Sequence, residues 1–551
     1  MAFTPRTSPL ERSVLLTLVV TVLAVTPYSV MDPMNLPKMT VLGVMSFLIL
    51  GLILGKIQKI ITREFRVVLA FTIGFLTLLI LNLFITDRNI SENFYGLSGR
   101  NTGILTYISL AILMFASSLI SSTKFVGTFR NALFAIGVFL FIYGCFQFAG
   151  LEPFPYVNVY ANNVFGTFGN PNFQSAFMGI VGASAIVSLF DGELRPQMRI
   201  LVGGISTASI IGIYSTNSWQ GFFNLFAGIA AGLVLLLFRW KRLSSAYLVL
   251  GGSIASGIIV GLGIFNKGPL ADLIGKASLE ARRLYWESAV QIIKSNPLFG
   301  VGFDGFGDWY RRGRSEEAAT SNGGLVSNSA HNVPLDIGVG GGLPVLLIYC
   351  VLNFLAVLKI VQMIKSSNSM HVSYISICAA WVSYQAQSLI SINQIGLGII
   401  GWILLGLVLG YQPIFEIDPP QKRSIKSNQT NNSFTSFIFP IIGLTIGLVV
   451  AMPPFVAANK FYNSLKSSDI KVVQVAALQA PLDSQRMLIA AQVLENNKFY
   501  MEAVEMVREV NNRFPDSFEA WRYLSTLTKS TTTDKQVAAK QMRRLDPFFG
   551  E

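Results

Sequence analysis

Five arginines and one histidine share one polar stretch between two apolar runs of this chain. Arg282, Arg283, Arg311, Arg312, Arg314 and His331 all fall between residues 266 and 342. Guanidinium stays charged at physiological pH and forks onto two phosphate oxygens at once, so such a cluster suits a diphosphate. Imidazole takes up a proton near neutral pH, so His331 suits a general base that activates a hydroxyl nucleophile. The plainer reading makes Arg311, Arg312 and Arg314 a solvated patch paired with Glu316 and Glu317, or a set of side chains reaching for lipid headgroups. Arg282 and Arg283 fall on an amphipathic segment, Leu279 to Ser295, with Leu284, Ala289 and Ile292 on its packing side. The other histidine, His371, lies beside Lys365 and reads as solvated.

What positions this stretch is a membrane scaffold. Of the 551 residues, 52% are hydrophobic and 13% charged, where a soluble domain carries about 25% charged residues. The apolar residues fall in runs of about 17 to 22, enough to cross about 30 Å of hydrocarbon. Thirteen such runs lie near 13–30, 39–55, 67–86, 103–121, 131–150, 173–190, 200–215, 221–238, 246–265, 343–358, 372–391, 397–411 and 436–454. The first, Val14 to Val30, reads as a retained span rather than a cleaved signal. Orientation follows from Lys and Arg. Alternate connections carry clusters such as Lys56, Lys59, Arg63 and Arg66, or Arg239, Lys241 and Arg242, whereas the short loops between them carry Lys38, Arg88 and Arg100. The positive-inside rule puts the N-terminus in the cytoplasm. It also explains the net charge of +13 without nucleic acid as a partner. The loop 266–342 then lies outside, and its arginines need an explanation other than topology.

The expectation is therefore an all-α polytopic membrane protein of 12 to 13 transmembrane helices, with a small soluble helical-repeat domain. Residues 1–411 form the membrane body, and 412–435 a flexible inside linker with Pro413, Pro419 and Pro420. Residues 436–454 form the last span, and 459–551 a helical domain outside. In that domain Pro481, Pro515 and Pro547 recur at 34 and then 32 residues, and Ala490, Ala491, Leu494, Tyr500, Ala503 and Val507 alternate small and large apolar residues. That period is similar to tetratricopeptide repeats. Such a domain either docks a partner protein or caps the membrane body. Cys145, Cys350 and Cys378 fall within spans without metal-ligand spacing and read as small core residues. The chain offers no paired acidic motif for a metal and no phosphate-binding glycine loop, so neither a metal nor a nucleotide cofactor is expected. Asp304 and Asp308 read as a turn and a helix start.

Further outside segments join the same face. Gly99-Arg100-Asn101-Thr102-Gly103 precedes the fourth span, and Phe165-Gly-Thr-Phe-Gly-Asn-Pro-Asn172 precedes the sixth. Asn170 and Asn172 suit sugar hydroxyls or a helix cap, with Asn172 the expected cap. Together with Arg282 and Trp286, Asn296-Pro-Leu-Phe-Gly-Val-Gly302, and His331-Asn332 with Gly342, these segments resemble the O-antigen ligase family of membrane glycosyltransferases over residues 60 to 412. One departure stands out. Relatives have an Arg after a Thr-x-Ser triplet, whereas here Thr216-Asn217-Ser218 is followed by Trp219-Gln220.

The resemblance implies a type-C-like, metal-independent inverting transfer on the outer face of a bacterial inner membrane. A glycan passes from a polyprenyl-diphosphate carrier to a hydroxyl of a lipid, glycan or protein acceptor in surface polysaccharide assembly. His331 matches the base. Arg282 or Arg283 matches a diphosphate contact, with Arg100, Arg311, Arg312 and Arg314 as further candidates. Asn170, Asn172, Gln220, Trp286 and Asn332 are the substrate-binding candidates. A polysaccharide polymerase and a protein O-oligosaccharyltransferase share these motifs. Two other classes compete: a transporter of a small anion such as bicarbonate, which places ionisable residues at mid-span, and an assembly platform working through residues 459–551.

Overall fold

Apolar runs of this length have one stable form in hydrocarbon, the helix that satisfies its own backbone, and the computed structural model is helical throughout. It describes residues 8–55, 65–154, 160, 163–265, 267–269, 277–320, 324, 326–366, 370–413, 433–467 and 469–549. No strand occurs among them; one isolated bridge joins Ser122 and Gln412. In chain order the body comprises α1 (Pro9–Leu23), α2 (Asn35–Leu54), α3 (Arg66–Ile85), the short α4 (Ile90–Tyr95), α5 (Ile104–Leu119) and α6 (Thr123–Phe148). It continues through α7 (Pro171–Ser188), α8 (Pro196–Ser215), α9 (Gln220–Arg239) and α10 (Leu243–Ile264). The polar loop contributes α11 (Ala277–Ser295), α12 (Phe306–Gly313) and α13 (Glu316–Thr320), and α14 (Val333–Lys365), α15 (Val372–Ser388) and α16 (Ile395–Leu409) complete the body.

Seven of these helices, α2, α3, α6, α8, α9, α10 and α14, are long and apolar enough to cross a membrane, so this is a multi-pass membrane protein. α17 (Ser433–Ala451), bent by 40° into α18 (Pro453–Ser464), makes an eighth when the pair is counted as one span. The remaining expected spans are helices of shorter length or lower hydropathy. Of these, α5 and α16 are buried along almost their whole length. They pack on each other at the centre, enclosed by longer helices that face lipid. α17 lies along α2 so closely that a Cβ on Gly443 would stand 2.2 Å from the Phe47 carbonyl oxygen, the small-residue contact usual where lipid supplies no hydrophobic drive.

Cysteine placement differs from the expectation. Cys378 is buried, but Cys145 and Cys350 lie exposed on the flanks of α6 and α14, where lipid rather than protein meets them. The part after α18 is α19 (Ile470–Ala477), α20 (Ser484–Asn496), α21 (Tyr500–Arg513), α22 (Phe518–Thr526) and α23 (Thr532–Leu545). Its successive helices pack around a separate core that includes Met487, Leu494, Val507 and Leu524.

With the three native cysteines replaced, Ser295→Cys and Lys529→Cys should both react with a membrane-impermeant maleimide added to intact spheroplasts. Reaction of either only after permeabilisation would reverse the orientation read from Lys and Arg.

Candidate functional site

The glycine run before the tenth expected span is a helix break whose freed backbone groups are taken up by the Asn296–Phe303 turn. α14 runs from Val333 to Lys365, but Gly342 has φ 77° and ψ −179°, and Pro344 follows. The Leu343 N–H therefore turns away from the carbonyl four residues back, and Pro344 has none to offer. The orphaned carbonyls of Val339 and Gly340 accept instead from Val301 N–H (2.8 Å) and Gly302 N–H (3.1 Å), while Leu343 N–H donates to Pro297 (2.8 Å). Asn82 of α3 closes the joint, its Nδ2 donating to the Gly340 carbonyl at 2.9 Å and to that of Phe299 at 2.5 Å. A Cβ on Gly300 would lie 2.3 Å from the Val339 carbonyl oxygen, and one on Gly342 2.5 Å from that of Leu298. The Asn-Pro-Leu-Phe-Gly-Val-Gly motif is thus a backbone splice between loop and span. A small apolar core sits above it: Ala289, Ile292 and Ile293 of α11 meet Val301, Phe306, Tyr310 and Val339, which fixes α11 against the outer end of α14.

That joint holds His331 one residue ahead of the helix N-cap, at φ 52°. Its Nδ1 lies 3.2 Å from the Ser329 carbonyl. A carbonyl only accepts, so Nδ1 carries the hydrogen and Nε2 is left with the lone pair. The ring lies against Tyr285 of α11, with centroids 5.3 Å apart. Asp336, one turn into α14, ties the approach to the ring by accepting from Ser329 Oγ at 2.6 Å and from Ala330 N–H at 2.8 Å. Burial pulls the imidazole down to about 4, with Arg282 and Arg100 adding to the shift and the Ser329 carbonyl opposing it. His331 is consequently neutral at physiological pH, the state a base requires.

The arginines separate by what already pairs with them. Arg282 makes no hydrogen bond or ion pair among the described residues. It lies near enough to Tyr285 and His331 to act on both electrostatically, and burial lowers its own pKa. Arg283 is bound by Glu287 at 2.7 Å and by Glu317. The triplet meets acids of the C-terminal domain rather than Glu316 and Glu317. Arg311 reaches Glu519 at 2.9 Å and Asp546 at 3.3 Å, with Phe518 4.0 Å beneath its guanidinium. Arg312 pairs with Asp516, and Arg314 with both oxygens of Asp546. Arg100 lies 3.5 Å from Asp304 and donates to the Asn328 carbonyl.

Arg88, given no role from the sequence, is the buried hub of the loop. It binds Asp308 at 2.7 Å, Glu92 at 3.4 Å and the Asp304 carbonyl at 3.3 Å. Glu92 in turn accepts from Ser484 of the C-terminal domain. Both aspartates sit where a turn and a helix start were expected. Asp304 has φ 55° and caps the Leu97 and Thr102 N–H groups.

Replacing Arg314 with alanine leaves Asp546, only 1% exposed, short of its main counter-charge, a loss of about 3 kcal/mol. Hydrogen-exchange protection across Thr532–Leu545 should fall while that across Ile104–Leu119 holds. Unchanged protection in α23 would show that the pair does not anchor the domain.

The substrate-binding candidates fall elsewhere. Asn170, not Asn172, is the N-cap of α7, because Pro171 occupies the first helical position. Asn172 instead accepts from Ser218 Oγ at 2.7 Å. Asn332 has both ends of its amide engaged, capping α14 and donating to the Leu389 carbonyl at 2.9 Å. Trp286 packs on Phe265 at 6.0 Å between centroids. Gln220 is buried with both amide atoms unpartnered among the described residues. Beside it Asn217, Ser218 and Trp219 line an apolar cleft of about 500 Å³ with Phe148, Met178 and Phe222. His371, expected to be solvated, caps α15 by accepting from Ser373 N–H at 3.2 Å. It also lies with Asp191 and Glu193, the donor atoms all within 4.8 Å, at the end of the bundle away from His331.

His331, Tyr285, Asp308 and Arg311 line an open cleft of about 430 Å³, whose far side is Ser517, Phe518 and Glu519 of the C-terminal domain. The architecture is that of a multi-pass helical membrane protein with one elaborated polar loop. Within it, residues 204–350 match the O-antigen ligase family model, a segment that runs from α8 through His331 into α14. This segment is similar to membrane glycosyltransferases of the ligase and polymerase type. No curated protein matches the chain.

Proposed function

We propose that the chain transfers a glycan from a polyprenyl-diphosphate carrier to an acceptor hydroxyl, with inversion and without a metal, at the outer face of a bacterial inner membrane. The observation that carries this reading is the neutral, half-buried His331 near Arg282, a half-buried guanidinium that no described residue pairs with. His331 Nε2 takes the proton of the acceptor hydroxyl as its oxygen attacks the anomeric carbon. The bond from that carbon to the phosphate oxygen breaks on the opposite face, and the carrier diphosphate leaves with the electron pair. Arg282 stabilises the charge gathering on that diphosphate, as a metal would otherwise do. The apolar cleft beside Trp219 suits an isoprenoid chain. Beside it Trp219 and buried Gln220 follow Ser218 where relatives have the arginine, so Arg282 bears more of the diphosphate's charge.

Ligation to a lipid is the main reading. Polymerisation and protein O-glycosylation place the same residues in the same roles. The C-terminal domain is read as a helical-repeat module of tetratricopeptide type. An anion transporter is disfavoured by where the described charges lie, since Lys38 and Asp336 stand at outer helix ends and Arg130 in the second turn of α6. Deletion of the gene tests the class: loss of a surface glycan with accumulation of its lipid-linked precursor supports transfer. Intact glycans with altered anion uptake would support the transporter.

A further inference from the structure

Two parts of the chain far apart in sequence build the cleft beside His331, and carboxylates stand on both of its walls. Asp308 directs Oδ2 to Arg88, and Glu519 faces it from the C-terminal domain. Glu519 meets Arg311 at 2.9 Å and Arg522 at 2.6 Å, yet half of its side chain is exposed. Each carboxylate oxygen accepts more than one hydrogen bond, so lone pairs remain for hydroxyls. A diphosphate entering here would meet like charge, and the guanidinium on the lining, Arg311, is already taken by Glu519 and Asp546.

Position argues the same way. A polyprenyl carrier keeps its diphosphate at headgroup level. Glu519, by contrast, belongs to a domain whose helices run only 8 to 14 residues, too short to span, so this wall stands on the soluble side. The cleft therefore suits the other substrate.

We propose that this cleft is the acceptor site, that the C-terminal domain forms its outer wall, and that Glu519 binds hydroxyls of a saccharide acceptor; the inference rests on the transferase reading above. Carboxylates from two parts of the chain, with Tyr285 on the same lining, offer a sugar both hydroxyl acceptors and an apolar face. Arg311, Arg312 and Arg314 serve this site by holding its wall in register.

The test uses the full-length protein in proteoliposomes. The donor is the lipid-linked precursor that accumulates in a deletion strain, and the acceptor is that strain's purified envelope saccharide. Glu519→Ala should raise the acceptor KM about tenfold, the lower end of what a hydrogen bond to a charged group is worth, with the donor KM moving less than twofold. Asp516→Ala, which breaks a docking pair outside the cleft, should move the acceptor KM less than twofold. An unchanged acceptor KM in Glu519→Ala overturns the proposal. An equal rise in Asp516→Ala assigns the effect to docking and overturns the direct contact. Transfer of label to protein in place of saccharide overturns the acceptor class. Wild-type protein that releases no carrier diphosphate at all defeats the transferase reading itself, and with it this inference.

Discussion

Replacing His331 with alanine lowers the turnover of reconstituted protein by roughly two to four decades, the range of general-base catalysis, while insertion and donor KM persist. The ring lies outside the spans and its removal leaves the splice at Gly342 intact. The pH dependence is the sharper readout. A base must be unprotonated, so the rate falls as pH falls through its pKa. An ordinary imidazole would put that limb near pH 6.5; burial of His331 puts it at about pH 4 in kcat/KM, which reports the free protein. A donor diphosphate beside Arg282 brings negative charge close to the ring and raises its pKa, so the limb in kcat lies higher than that in kcat/KM. The alanine variant loses the limb. A kcat/KM limb near 6.5 in the wild type would refute the desolvated state of His331, and wild-type turnover in the variant would remove it from the mechanism.

Arg282→Ala should cost about 2.7–4 kcal/mol of transition-state stabilisation, or roughly two to three decades. A lysine there should restore part of it, since an ammonium cannot fork onto two oxygens. The same change should move the acid limb of the residual activity upward, because Arg282 is one of the charges that depress His331. Arg283→Ala serves as the comparison. That guanidinium is held by Glu287 and Glu317, and its loss should change turnover by less than about threefold, in line with the small worth of an exposed pair. Equal losses at the two positions would show that the pairing seen here does not sort their roles.

The spans were legible because hydropathy and length are properties of single segments, and so was α11, whose Leu284, Ala289 and Ile292 recur with helical period and are buried. Pairings across the chain were not. Arg311, Arg312 and Arg314 share a short stretch with Glu316 and Glu317, and nothing local reveals that Asp516, Glu519 and Asp546 take precedence. Arg88 disappeared into the count of outside charges, although a buried arginine ringed by three acidic residues organises the loop. The Gly338–Gly342 run announced a special backbone. Only the fold shows that its orphaned carbonyls meet Val301 and Gly302. The cap at Asn170 was within reach of a local rule that the expectation of Asn172 passed over: a proline at the first helical position names the residue before it as the cap.

The charge lock between loop and C-terminal domain has a consequence for building hybrids. The arginine side and its carboxylate partners stand 232 residues apart in the chain, as with Arg314 and Asp546. A donor C-terminal domain spliced onto this membrane body would arrive without a matching set of acids, and three guanidiniums would stand unmatched at the seam. A functional chimera must therefore exchange residues 306–320 together with residues 459–551, two cassettes that behave as a single interchangeable part.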